Sequence, residues 1–382
     1  MNLASSAPFI ASHAICNVSH PLDWTLEKQG LFVEACREMA YFHRKNNAVI
    51  KSIYDRENFD PNHLQTEGDL ASLPFLGVTA MKHHLLLSLP PDKAVLKLTS
   101  SGTRGQKTQI WFDQDSLDRV QSMLDVYLAQ EGLISPLPTN YIVCSYDPKD
   151  ASDLGVSFTS RNQMRFAPIH EEFFAVQKDS NGVWQFRREA IVKQILDFQS
   201  QGLPLRILGM PAFIHELAGV LWEQKIRLQL HPASLILTGG GWKAAEKNAL
   251  TREQFREMCT EVFSISPQNQ RDAFGMAEHS APYFTCSHHQ FHVPVFNRLI
   301  IRDPVSLQPL PPDKSGLLQL VTPFNAMMPN LSILSTDWAM MHSKPCDCGK
   351  KSPTFQILGR SGLTKHKGCA IHAEDIVKRQ KP

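Results

Sequence analysis

Apolar positions between Asp23 and Asn46 fall at Leu26, Leu31, Val33, Ala35, Met39, Ala40 and Phe42, a spacing that winds them onto one side of a helix. Pro61, Pro74, Pro90 and Pro91 cut the following stretch into short pieces, because proline lacks the N–H that a regular element needs. Ala94–Leu98 predicts a short strand that runs straight into a small, polar segment. Asp115 or Ser116 is placed to cap a helix reaching Glu131, with Leu117, Val120, Met123, Leu124, Tyr127 and Leu128 as its stripe. Strands and helices then alternate. Tyr141–Cys144 and Ser234–Thr238 are short runs of the buried-strand type, and Ala190–Phe198, Ala212–Leu228 and Thr251–Phe263 read as helices. That alternation predicts α/β layers. From about Phe291 the texture changes to short strands between turns, His292–Ile301, Gly316–Thr322 and Leu331–Leu334, which predicts a small β-rich subdomain.

The pattern divides the chain into a helical part over 1–98, an α/β core over 99–285, a β-rich subdomain over 286–358 and a short tail over 359–382. At 382 residues it is long enough for two or three domains or one large α/β unit. Apolar residues are 42% and charged residues 20%, which fits a globular protein and argues against disorder. A net charge of +2 gives no global basic bias, so a nucleic-acid partner is not expected. The sequence holds no run of 18 apolar residues, so no membrane span is expected. The start has no basic region before an apolar stretch, so no secretory signal is expected either. The eight cysteines then read as cytoplasmic thiols, metal ligands or catalytic groups.

Five segments are candidates for chemistry. Ser100-Ser101-Gly102-Thr103-Arg104-Gly105-Gln106-Lys107-Thr108 follows a strand; small residues leave backbone N–H groups free to face phosphate oxygens, and Arg104 or Lys107 adds charge. A plain polar loop reads the same way, and the Walker pattern is absent. Gly239-Gly240-Gly241 follows the strand ending at Thr238 and admits either a flat ligand close to the backbone or a tight turn. Asp272-Ala273-Phe274-Gly275-Met276-Ala277-Glu278-His279 holds an aromatic-Gly-x-x-Glu element that could stack a base and place a carboxylate near Mg²⁺. Thr336-Asp337 could hold two ribose hydroxyls, and Gly359-Arg360 closes the series.

In that order the five motifs resemble those of the adenylate-forming enzymes, most closely the phenylacetate–CoA ligase branch and its acyl-protein synthetases. The resemblance runs from about Leu98 to the C-terminus. It implies an adenylate-forming large lobe of layered α/β subdomains plus a β-rich subdomain. Carried over by position, it implies that Ser100, Ser101, Gly102, Thr103, Arg104 and Gly105 hold the ATP phosphates, with Lys107 beside them as a candidate, and that Gly239, Gly240 and Gly241 lie along the adenylate. It likewise implies that Phe274 and Gly275 carry the base, Glu278 binds Mg²⁺, Asp337 binds the ribose and Arg360 marks the hinge to the C-terminal lobe. One departure stands out: Gly-Gln-Lys-Thr replaces the Gly-x-Pro-Lys of many relatives, putting Lys107 where proline is usual.

Only 22 residues follow Arg360, so the usual C-terminal lobe is expected to be truncated to a short tail, and the acyl group would need another acceptor. In acyl-protein synthetases that acceptor is a cysteine near the C-terminus, which the resemblance places at Cys369. Lys365, His366, Lys367 and His372 surround it, a field that favours the thiolate. The implied activity is ATP-dependent activation of a long-chain fatty acid to acyl-AMP and transfer to Cys369. The implied partners are an acyl-protein reductase, which makes the aldehyde, and an acyltransferase or thioesterase subunit, which supplies the acid. A ligase charging CoA or a carrier protein, with a fatty or aryl acid, is the alternative, and a non-catalytic subunit of the same fold is a second.

The other cysteines separate by context. Cys16, Cys36, Cys144 and Cys259 lie in or beside apolar segments and read as buried small hydrophobes. Cys346-Asp347-Cys348-Gly349 is a tight turn that can aim two thiolates at one point, and with Cys286 and His292 it makes a Cys₃His set suited to structural Zn²⁺. His279, His288 and His289 are nearby alternatives as the nitrogen ligand.

Overall fold

The computed structural model describes residues 9–99, 108–150, 163–240, 242 and 249–360. Its N-terminal part is helical. Helix Leu26–Asn46 starts at Thr25, whose side chain accepts from the Lys28 N–H, and ends at Asn47, whose side chain in turn accepts from Val49 and Ile50 to start helix Ala48–Arg56. The stripe Phe32, Val33, Ala35, Cys36, Met39, Ala40 and His43 is its buried face. Strand β1 (Leu76–Gly77) follows, then a hairpin of β2 (Leu96–Thr99) and β3 (Gln109–Phe112).

The next seven strands are β4 (Thr139–Tyr146), β5 (Ile169–Lys178), β6 (Trp184–Phe186), β7 (Leu205–Gly209), β8 (Leu235–Gly239), β9 (Gln270–Phe274) and β10 (Tyr283–Phe284). They form one sheet in the order β10-β9-β8-β7-β4-β5-β6, parallel from β5 through β9 and closed by an antiparallel strand at each edge. Both faces are covered, so side-chain alternation sorts the residues. Tyr141, Val143, Leu208, Leu235 and Leu237 face the N-terminal helices and the hairpin. Ile142, Cys144, Ile207 and Ile236 face helices Arg188–Ser200, Pro211–Glu223 and Arg252–Phe263.

The β-rich part comprises β11 (Phe291–His292), β12 (Arg298–Arg302), β13 (Ser315–Val321), β14 (Ser332–Met341) and β15 (Thr354–Arg360). The order is β11-β15-β14-β13-β12, with β1 parallel to the first half of β14. Arg298 ties this sheet to the N-terminal helices. It is buried, ion-paired to Glu67 and stacked 4.0 Å over Trp24 and 4.1 Å over Phe32.

Three elements differ from the sequence pattern. The strand expected over His292–Ile301 is broken into β11 and β12, because Pro294 cannot donate to a ladder. The helix expected to reach Leu228 ends at Glu223, with Lys225 in the left-handed region. The helix expected to be capped at Asp115 or Ser116 starts earlier, with Asp113 as the capping residue, because the Ser116 hydroxyl donates to the Asp113 carboxylate. Among the described residues no helix is long and apolar enough to cross a membrane.

Gly209 ends β7 at φ +148°, where an added Cβ would lie 2.3 Å from the Cys144 carbonyl oxygen on β4. Gly209→Ala is therefore expected to cost ~3 kcal/mol of stability, since backbone must move to relieve the clash. Urea denaturation of the two proteins measures it, and a midpoint equal to wild type would show that the two strands can separate freely here.

Candidate adenylate site

Strand order places the first parallel strand, β4, between β5 and β7, so successive connections leave β4 to opposite sides. Open α/β sheets bind ligands outside the carboxyl ends of the strands at such a switch point. Gly209 and Met210 end β7 there; Gly239 and Gly240 end β8; Phe274 ends β9. Gly240 takes φ +87°, and the Met210 side chain lies beside it at this rim, 3.7 Å from where a Cβ would stand. The Thr238 hydroxyl donates to the Asp272 carboxylate, tying the ends of β8 and β9 together.

The turn after β9 carries Gly275, which is exposed, and Glu278, which is buried. The buried Thr108 hydroxyl donates to Glu278 Oε1 at 2.7 Å, and Asn330 Nδ2 donates to the Glu278 carbonyl at 2.9 Å. Thr108 is the residue that returns the phosphate-loop motif into the β2–β3 hairpin. The end of that motif and the candidate Mg²⁺ acid are thus in direct contact. A carboxylate beside a hydroxyl is the hard-oxygen chemistry that Mg²⁺ takes. The remainder of the motif, Ser100, Ser101, Gly102, Thr103, Arg104, Gly105 and Lys107, lies outside the described residues, as do Gly241 and Cys369.

Phe274 is half-buried. Its ring packs on Tyr283, Phe291 and Phe355 with centroids 6.2–6.3 Å away. Asp337 and Arg360 belong to the other sheet, where they are cross-strand neighbours on β14 and β15. Asp337 is buried, and its N–H donates to Ser335 Oγ at 2.9 Å.

The four residues Cys286, His292, Cys346 and Cys348 bring their donor atoms within 4.8 Å of one another. Cys286 Sγ is 3.7 Å from Cys346 Sγ, and Cys348 Sγ is 3.2 Å from His292 Nε2. The other ring nitrogen of His292 meets Ser352 Oγ at 2.7 Å, which fixes the imidazole with Nε2 toward the thiols. Burial, with Lys350 adding to it, holds the His292 imidazole down to about 4, and burial pushes the Cys346 thiol up to about 12. The three histidines named above as alternatives lie outside this set. The donor set is soft, compact and fully enclosed by four ligands, which suits tetrahedral Zn²⁺.

Asp272, Asn330 and His279 were not assigned to the adenylate site from sequence. His279 is fully buried beside Glu278, stacks with Tyr283 at 2° and 5.8 Å, and meets its hydroxyl at 3.0 Å. Asp272 and His279 end the motif around Glu278, but their contacts, like the place of Asn330, arise only from the fold.

The fold is shared with adenylate-forming ligases. A 2-hydroxyisobutyryl-CoA ligase in complex with an acyl-AMP superposes at a TM-score of 0.67, with 13% identity over 94% of this chain and 72% of that one. An open conformation bound to acyl-AMP and CoA gives 0.66, with 14% identity over 90% and 76%. The family model for "Acyl-protein synthetase, LuxE" matches residues 4–377, so the chain belongs to that family of ligases. A long-chain-fatty-acid–luciferin-component ligase of Vibrio harveyi is 25% identical over 92% of this chain and 89% of its own length. One from Aliivibrio fischeri is 22% identical over 95% and 93%.

Burial holds both His279 and His43 down to about 3. In the unfolded chain each ionises near 6.5. As pH falls below about 6.5 the unfolded state takes up protons that the native state refuses. Stability should therefore decline toward about pH 3, by up to ~1.4 kcal/mol per pH unit for each histidine. Urea midpoints between pH 7 and 4.5 measure the slope, and His279→Gln should flatten it. A slope unchanged by that substitution would assign the acid lability to other groups.

Proposed function

We propose that this chain activates a long-chain fatty acid with ATP and then carries the acyl group on its own Cys369. The observation that carries the first half is the buried Thr108–Glu278 contact at the carboxyl rim of the parallel sheet, in a chain that belongs to the acyl-protein synthetase family. The fatty acid carboxylate attacks the α-phosphorus of ATP, the bond to the β-phosphate breaks, and pyrophosphate leaves. The phosphate-loop residues Ser100–Gly105 and Lys107 bind the phosphates and neutralise their charge. Phe274 supports the base, Gly239–Gly241 admit the adenylate close to the backbone, and Asp337 accepts from the ribose hydroxyls. Glu278 and Thr108 are the residues that would hold Mg²⁺, which supplies charge neutralisation at the phosphates. Their mutual hydrogen bond orients the carboxylate before substrate arrives.

In the second half the Cys369 thiolate attacks the acyl carbonyl carbon, the carbon–oxygen bond to AMP breaks, and AMP leaves. The placement of the other thiols supports this choice. Burial pushes Cys16 up to about 12, and Cys36, Cys144 and Cys259 are raised further by burial as well. Cys286, Cys346 and Cys348 belong to the Cys–His cluster. Cys369 is the eighth. The thioester then passes to an acyl-protein reductase, and an acyltransferase or thioesterase subunit supplies the acid. A reducing cytoplasm suits free thiols of this number. We assign structural Zn²⁺ to Cys286, His292, Cys346 and Cys348.

Glu278→Ala and Asp337→Ala are expected to abolish ATP–pyrophosphate exchange, with circular dichroism unchanged. Exchange at the wild-type rate in either variant removes that residue from the site. Cys369→Ser should keep exchange and lose the hydroxylamine-labile acyl adduct on the protein. If the wild type instead leaves itself unlabelled and charges CoA or a carrier protein, the acceptor is external and Cys369 has no such role.

Elemental analysis of the purified protein is expected to give about one zinc per chain, with chelation lowering the melting temperature. A metal-free protein of full stability would refute the zinc assignment.

A further inference from the structure

The Cys–His cluster stands where the two sheets join. Phe274 at the end of β9 is the cross-strand neighbour of Tyr283 on β10. One residue past β10, Thr285 bridges to Phe291 on β11, and Phe291 pairs with Phe355 on β15. Among the described residues this single bridge links the ladder of the seven-stranded sheet to that of the six-stranded one. The Cys286 N–H donates to the Gln290 carbonyl at 2.9 Å, so Cys286 opens the turn between those two strands. His292 follows Phe291 directly, and Cys346 and Cys348 lie in the loop that leads into β15.

The aromatic rings beside these residues are the same rings that support Phe274. Phe291 and Phe355 stack at 5.3 Å, Tyr283 meets Phe355 at 5.1 Å, and Phe274 touches all three. At its far end β15 carries Arg360 opposite Asp337. Base platform and ribose acceptor therefore sit on different sheets, which meet at this junction.

We infer that the Cys286, His292, Cys346 and Cys348 cluster positions the nucleotide site: with Zn²⁺ bound, it locks the β10–β11 turn to the loop before β15 and thereby fixes Phe274 relative to Asp337. The inference rests on the reading of Phe274 and Asp337 as nucleotide residues and of the cluster as a zinc site. The four ligands are positioning residues; none touches substrate. One strand bridge, a layer of rings and the Tyr127 hydroxyl, which donates to the Phe284 and His292 carbonyls, join the sheets here, and a metal held by the four residues would add a direct tie between the β10–β11 turn and the loop before β15. Binding of metal and nucleotide is then coupled, and coupling is reciprocal.

The test uses the full chain, AMP and Zn²⁺. AMP affinity is expected to fall about tenfold when zinc is removed by chelation and to return when zinc is restored. AMP should in turn raise zinc retention against a competing chelator by the same factor, a response that a merely stabilising metal would not give. Cys348→His, which keeps four ligands, should retain both zinc and AMP affinity, whereas Cys348→Ser should lose both. Equal AMP affinity with and without zinc, in protein whose circular dichroism is unchanged, overturns the inference. So does zinc retention indifferent to AMP, which is measured on loaded protein and decides the matter even if the depleted chain unfolds. Failure of the underlying readings looks different: zinc-loaded Phe274→Ala binding AMP like wild type would remove the base platform. A chain that takes up no zinc at saturation would remove the metal.

Discussion

The contact between the Thr108 hydroxyl and the Glu278 carboxylate holds three otherwise separate parts of the chain at one point. Thr108 leads into the return strand of the hairpin, Glu278 sits on the turn after β9, and the buried Asn330 clasps the same turn from the loop before β14. A buried carboxylate without a donor would be costly, and the threonine hydroxyl supplies one. Thr108, the turn that follows Phe274 and the loop that leads into β14 are thereby referred to one another.

The parts of the fold legible in the sequence are those with a local period. Helices 26–46, 114–130 and 252–263 lie close to where their stripes put them, because one face of each is the core. Strand β5 was not legible: its first four residues are exposed, and it pairs at the edge of the parallel run. The gap between β11 and β12 depends on one proline, and the early end of helix 211–223 on one left-handed lysine; neither interrupts the apolar pattern. In the site, glycine and cysteine positions show in sequence because special backbone and sulfur chemistry need those residue types. The pairing of Thr108 with Glu278 and the parts played by Asp272, Asn330 and His279 do not, since they arise only from what folding sets opposite them.

The eight cysteines illustrate how one residue type is sorted by surroundings. Four lie in the apolar cores, where burial removes their reactivity. Three stand together with a histidine whose second nitrogen is held by Ser352. Nearby, Lys350 and the buried Glu131 pair at 2.5 Å, and Tyr127 bonds the backbone on either side of the cluster at Phe284 and His292. Glu131 and Tyr127 follow one another on the same helical face, so helix 114–130 buttresses the junction from below.

The span of 170 residues between Thr108 and Glu278 has a consequence during synthesis. At about 5–20 residues per second the ribosome needs roughly 10–30 s to deliver the glutamate after the threonine has emerged. Over that interval the apolar faces of Phe32, Met39 and Ile110 wait for Val295, Phe296 and Phe324, which complete the same core. The Thr108–Glu278 contact therefore cannot close until most of the chain has been made.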